Sequence, residues 1–494
     1  MAHLPLAIPP GVFRRGTEFQ SKGRAYDTNL VRSYGPSWGP IGGWRSRGDA
    51  VSGKARAIIS WKTNAAVRWS GVGTHTKLYA VSSTPTNFDI TPTDFVAGRA
   101  DAVAKTGYGY GPYGAGTYGT PRADTGSRFP ATVWDLDNWG EDLIGCADSD
   151  GRILQWQLDT GVKAAAVANA PTACNGAFVT AQRTLVGLGA GGNPRKVQWS
   201  DVENNTTWSP SSTNKAGDFE LATVGLILAG RPLSDLASII LTESDAWAMS
   251  YIGGTLVYSF DKIGPSCGGY SRGCMHVIGQ RAAWWGSAGF WLFDGSLRPL
   301  RCDVLEYVQA NLNTAQASKI STLHNGKYGE IWWFYPSTGS TENDSYVFWD
   351  YRNDTWGIGS LERTCGIDSD VFRYPIAMDA DGQAYEHEVG SSYDSVSPYV
   401  RFGPVGGGAN MIRVTDLIPD EATQGQSEVA FITRIFPTGT ETTIAQVALT
   451  SSGKTNLRFT AGQFEVKVVF SANNAARWGT PELAVSPAGR RRAA

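Results

Sequence analysis

The chain has 494 residues and a mass of 53.0 kDa, 41% of them hydrophobic, which is length enough for two or three domains and too apolar for a disordered polypeptide. A formal net charge of −2 excludes a surface that coats nucleic acid through a broad basic excess, so any DNA contact must be local or loose. With 59 glycines and 18 tryptophans against 18% charged residues, the balance is that of strands and tight turns, and the class is mainly β.

Residues 1–50 read as a partly extended N-terminal arm, broken at Pro9-Pro10, Gly35-Pro36 and Gly42-Gly43. Between Met1 and Ser60 nine Lys and Arg face three acids, Glu18, Asp27 and Asp49, the clearest charge asymmetry in the chain. Arg14, Arg15, Lys22 and Arg24 are the candidate contacts to an acidic partner, with a solvated basic surface as the alternative. The first ten residues lack a charged start followed by an apolar core, and no stretch approaches a membrane span, so the expectation is a chain made and folded in a cytosol.

Residues 51–400 show short strands at close spacing. Asp150-Gly151, Asp294-Gly295 and Asp381-Gly382 each punctuate aromatic or aliphatic runs, and Asp-Gly is the favoured pair where both central residues of a hairpin turn need positive φ. Two of these turns share an Asp-x-Asp-Gly unit that follows paired tryptophans, Trp134 with Trp139 and Trp349 with Trp356. Radially repeated four-stranded modules produce such recurrence, so a β-propeller-like body is predicted, the alternative being an antiparallel sandwich. Arg281–Gly295 and Glu330–Tyr335 are predicted as inner blade strands.

Within this body, residues 107–119 alternate glycine with Tyr108, Tyr110, Tyr113 and Tyr118 and are predicted as a projecting loop, a candidate for partner or channel contact. Residues 303–319 are predicted as an inserted helix, capped by Asp303 and buried along Leu305, Val308, Leu312 and Ala315. Residues 401–408 read as a Gly-rich linker. Residues 409–484 then read as a β-sandwich-like domain in which Phe464, Val466, Val468 and Phe470 alternate with Glu465 and Lys467. Residues 485–494 form a basic tail expected to fray.

Signals for chemistry are weak. Gly453-Lys454-Thr455 has the end of a phosphate-binding loop, but Ala448 stands where its first glycine belongs. Asp148–Gly151 and Asp379–Gly382 resemble the start of a calcium loop, yet the twelfth positions are Asp159 and Gly390, and turn chemistry explains both. The five histidines lack ligand spacing, and the six cysteines are scattered, which points to reduced, mostly buried thiols. Glu386 and Glu388 are a thin carboxylate pair for a glycosidase. No catalytic residue, metal ligand or cofactor is assigned, and the expectation is a protein that is not an enzyme.

Several runs together resemble the tail hub or nozzle proteins of short-tailed bacteriophages, the packaged-DNA stabilisation protein group. They are Gly11–Val31, Val197–Trp208, Gly286–Gly295, Glu330–Pro336 and Ala476–Pro481. The resemblance implies a structural virion protein, assembled in the bacterial host cytoplasm. Six copies would form a ring below the head-to-tail adaptor that extends the DNA channel, retains packaged DNA and anchors a fibre or spike and the tail tip. Contact with double-stranded DNA in the lumen would be transient and non-specific. Two alternatives stay open, a glycan- or receptor-binding propeller and a polysaccharide-degrading enzyme. The tryptophans argue against the first, because most lie inside apolar strand runs, and the carboxylate evidence for the second is thin.

Overall fold

The computed structural model describes residues 2–107, 117, 119, 122–254, 256–406, 408, 410–422, 425–437, 439–449, 453–471 and 475–490. Among these residues, seven four-stranded antiparallel sheets succeed one another along the chain. The innermost strands are Ala55–Lys62, Trp134–Trp139, Gly176–Val179, Ile227–Pro232, Met275–Ile278, Ser321–Asn325 and Cys365–Ile367, opening blades 1 to 7 in that order. Each contacts the next, and that of blade 7 contacts that of blade 1, so the ring closes. This is a β-propeller.

Closure comes from the segment expected to be an arm. Blade 7 takes three strands from residues 365–387, and its outermost strand is Trp44–Arg47, paired from His387↔Trp44 to Ala384↔Arg47. First and last parts of the propeller are thereby hydrogen-bonded into one sheet, which removes the free edge that an open ring would expose. Earlier residues go further. Ala2–Pro5 pairs with Glu482–Arg490, and Ala25–Asn29 pairs with Tyr399–Gly406, so the N-terminal region supplies an edge strand to each sheet of a C-terminal sandwich. Residues 1–50 are therefore not an arm, and the tail residues up to Arg490 are held in a strand.

Residues 401–406 of the predicted linker are also strand. Tyr399–Gly406 lies between Ala25–Asn29 and Gln463–Phe470, with a bulge between Phe402 and Val405. A Cβ at Gly403 would stand 2.3 Å from the Ser21 carbonyl oxygen, so this glycine permits a close approach rather than a hinge. Between the two sheets Phe431, Phe459 and Phe464 pack with centroids 4.9–6.1 Å apart. Phe464, Val466, Val468 and Phe470 are buried as their alternation predicts. Glu465 is buried as well, held by Arg401 and Arg434, an ion-pair cluster that alternation alone does not reveal.

Propeller and sandwich share one apolar core running through Ile8, Val12, Ala25, Val31 and Trp38 to Trp478, with Trp38 and Trp478 exchanging backbone hydrogen bonds of 2.8 Å. The strongly aromatic runs are second and third strands of their blades, not innermost ones: Arg281–Gly286, Gly289–Phe293 and Glu330–Pro336. Residues 303–319 split into a helix, Leu305–Asn311, and a 3-10 segment, Thr314–Lys319, which Asn313 caps by accepting from Ala315 N at 3.1 Å. Asp303 does not cap the helix. It lies instead between Arg24 and Arg301, at 3.6 and 3.5 Å.

The Asp-Gly pairs do sit in turns between strands of blades 2, 5 and 7, but only Gly151, Gly295 and Gly382 have positive φ. The aspartates keep ordinary backbone conformations because carboxylates bond the turn from within. Asp379 Oδ1, for instance, accepts from Asp381 N at 3.0 Å and Gln383 N at 2.8 Å.

Candidate functional site

Because innermost strands run side by side around the axis, one residue from each of several blades converges there. A cavity of about 260 Å³ results, lined by Arg56, Arg231, Arg272, His276, Lys319 and Asp368 among apolar residues such as Leu136, Met275 and Ile320. The charged groups fall into three sets.

In the first, Glu342 receives both Nη atoms of Arg56 at 2.8 Å and Lys319 Nζ at 3.0 Å, with Lys54 Nζ at 3.2 Å. Burial alone would raise this carboxyl, but Arg56 and Lys319 hold it down to about 2. Lys319 also reaches Asp101, Arg56 donates to Ala100 O at 2.7 Å, and Gln316 exchanges two hydrogen bonds with Ala102. Residues 99–102 are thus bolted across from blade 1 to the turn leading into blade 6.

In the second set, Asp135 is fully buried and bridges two arginines, Arg231 Nη2 at 2.9 Å and Arg272 Nε at 3.5 Å. In the third, His324 Nδ1 lies 2.5 Å from Asp368 and its Nε2 3.1 Å from the Tyr351 hydroxyl, while its ring packs 5.1 Å from that of His276. Burial, then the neighbouring His324, pushes His276 down to about 3, so it is a neutral imidazole at pH 7. Among the described residues no group of three or more His, Cys, Asp and Glu has metal-site geometry.

A second concavity of about 400 Å³ opens between blades 5 and 6, with Ile278, Leu292, Leu300 and Ile331 as floor and Arg281, Arg298 and Arg301 around it. Trp349, which also lines it, donates its indole N–H to Asp354 at 2.9 Å.

The residues singled out from sequence lie elsewhere. Arg14 stacks 3.7 Å over Tyr307 and pairs with Asp27 at 3.4 Å, Arg15 pairs with Glu306 at 3.4 Å, and Arg24 lies 4.7 Å over Phe13. These three cations fasten the N-terminal segment to residues 303–307, and Lys22 is exposed. Tyr108, Tyr110, Tyr113 and Tyr118 lie outside the described residues. Its paired stem, Val103–Gly107 with Arg122–Phe129, joins the bolted 99–102 segment. Glu386 and Glu388 belong to different ion pairs: Glu386 takes Arg45 and Arg47, and Glu388 takes Arg32. All six cysteines are free and buried, and burial pushes the Cys174 and Cys365 thiols up to about 12.

Sequence reading missed the axial set because most of its members stand some forty to a hundred residues apart, on separate blades, with no local motif. A charged residue at the head of an apolar strand, as in Ala55-Arg56-Ala57-Ile58-Ile59, is the signal that could have found it.

The chain is a β-propeller protein with a fused β-sandwich. No family model and no curated protein matches it. Solved structures with similar architecture include a streptogramin B lyase (9% identity, TM-score 0.39, covering 70% of this chain and 96% of that one) and virginiamycin B lyase from Staphylococcus aureus (9%, 0.40, 70% and 99%). The WD40 propeller domain of Doa1 is similar at 8% identity and a TM-score of 0.39, covering 72% and 98%. At such identities the likeness concerns fold alone.

Proposed function

We propose that this chain is a structural, non-enzymatic wall subunit of a bacteriophage tail, a nozzle or hub protein that assembles as a ring of about six copies below the head-to-tail adaptor, as in the group it resembles. The observation that carries the reading is where the resembling runs lie. Gly11–Val31 and Ala476–Pro481 flank the seam between propeller and sandwich, joined through Trp38 and Trp478, and the other runs fall in blades 3, 5 and 6. Two of them thus border a joint and three build blades, and a stiff body of that kind is what a conduit under internal pressure needs.

The near-neutral charge supports the same reading, since a wall that met DNA through many phosphate contacts would hold it by salt-dependent attraction and hinder passage. The lumen of such a conduit runs between subunits. A propeller axis reduced to about 260 Å³ and bridged by residues 99–102 admits no duplex. A ring needs a heterologous interface that closes on itself.

The test is the particle size of the purified protein, alone and with a tail adaptor, by light scattering and negative-stain imaging. A closed ring, alone or on the adaptor, is expected. A monomer or trimer in both conditions that binds or cleaves bacterial glycans would replace this reading with that of a glycan-recognising propeller.

A further inference from the structure

Among the ion pairs of the axial cavity, cations outnumber carboxylates. Around Glu342, two acids answer three cations: Lys319 is shared with Asp101, and Arg56 and Lys54 share Glu342. Around Asp135, one carboxylate answers both Arg231 and Arg272. Asp137 lies near Arg231 and Asp148 near Arg272, without pairing with either, and burial pushes both carboxyls upward. Asp368 is spent on His324.

One donor stands out. The Arg272 side chain is 7% exposed and fixed by its Nε, which donates to Leu228 O at 3.2 Å, yet its Nη1 is buried with no hydrogen-bond partner. A buried guanidinium N–H left unmatched costs more than an ordinary missing hydrogen bond, because the group is charged. Arg272 lines the cavity together with Arg231 and His276. Arg231 already donates to Asp135 at 2.9 Å and to Gly230 O at 2.7 Å, so Arg272 Nη1, which with Arg56 Nε is an unpartnered guanidinium N–H of this lining, is the donor an oxyanion would take.

We propose that the axial cavity is a binding site for a small free oxyanion, of the phosphate or compact carboxylate class, held by Arg231 and Arg272 with neutral His276 beside it. About 260 Å³ accommodates such an ion with a short organic body against Met275 and Ile320, and excludes a polynucleotide. The site stands or falls independently of assembly into a tail, since every group belongs to one chain.

The test is isothermal titration of the full-length protein with inorganic phosphate and, separately, with citrate. Ionic strength is held constant with chloride, and a short DNA duplex supplies the same phosphate concentration in a third arm. Saturable binding of at least one small anion is expected, weakened about tenfold or more in Arg231→Gln and in Arg272→Met, since one charge-assisted hydrogen bond is worth about that factor. Arg352→Gln, on an exposed turn away from the cavity, leaves it unchanged. If Arg272→Met does not fold, Arg231→Gln carries the test, its side chain being 30% exposed. No saturation by 50 mM of either anion, affinity unaltered in Arg231→Gln, or binding of the duplex alone would each overturn the proposal.

Discussion

Arg32 is the perturbation that reports most directly on how the N-terminal segment holds the fold. Its side chain is 3% exposed, donating from Nε and Nη2 to Glu330 at 2.7 and 2.9 Å and from Nη2 and Nη1 to Glu388 at 2.5 and 3.2 Å. Glu330 belongs to blade 6 and Glu388 follows blade 7, so one guanidinium ties residues 31–34 to two blades. Arg32→Met keeps most of the volume but strands two buried carboxylates. Removing one member of a buried pair costs about 3–5 kcal/mol, and the second orphaned carboxylate places this variant at about 4–6 kcal/mol, a third or more of a typical domain's stability.

Burial already pushes the Glu330 carboxyl above its ordinary range despite Arg32, and without the cation it rises further. A carboxyl whose folded pKa exceeds its unfolded one binds protons preferentially in the native state, so the deficit of Arg32→Met shrinks as pH falls from 8 to 5. The assay is urea denaturation followed by tryptophan fluorescence at both pH values. Adding Glu330→Gln and Glu388→Gln restores most of the loss, because the amide oxygen at 330 still accepts from Trp332 Nε1 and that at 388 from Gly42 N. A deficit under about 1 kcal/mol, no dependence on pH, or no recovery in the triple variant would refute the reasoning.

Gly382→Ala forces a φ of +82° on a residue whose Cβ would lie 2.2 Å from Val51 O, and costs about 2–4 kcal/mol, whereas Gly23→Ala at φ +73° in open space costs about 1 kcal/mol; equilibrium unfolding separates them. The unfolded chain protonates His276 near pH 6.5 while the folded one resists to about 3, so stability falls with pH across that window. His276→Gln recovers about 3 kcal/mol at pH 4, measured by urea midpoints at pH 7 and 4. Deleting residues 2–5 bares the Glu482–Arg490 edge, and limited proteolysis then cuts first within the sandwich, leaving the propeller as the slower fragment.

What was legible in sequence was local. Asp-Gly turns between apolar runs mark blade hairpins, and alternation at 464–470 marks a sandwich strand, because both signals arise from residues adjacent in the chain. Trp44-Arg45-Ser46-Arg47 gave no such signal. Half-polar and short, it becomes a strand only because Ala384–His387 offers an unpaired edge some 340 positions later. Ala2–Pro5 and Ala25–Asn29 were illegible for the same reason. Gly403 suggested freedom where it serves contact, since close approach and flexibility call for the same residue. The axial cavity was hidden by geometry: it exists only once separate blades place Arg56, Arg231, Arg272 and Lys319 around one axis.

The pairing of Ala2–Pro5 with Glu482–Arg490, and of Trp44–Arg47 with Ala384–His387, fixes an order of events on the ribosome. Strands made first have no partners until residues 384–387 and 482–485 have been made, and wait as open edges until then. Blades 1 to 6 can form as they emerge. The ring cannot lock before residue 387, and the sandwich cannot complete before residue 490. A polypeptide released before residue 384 therefore carries both unpaired edges, whereas one that has reached residue 490 can pair the two, so the earliest strands depend on segments made hundreds of positions later.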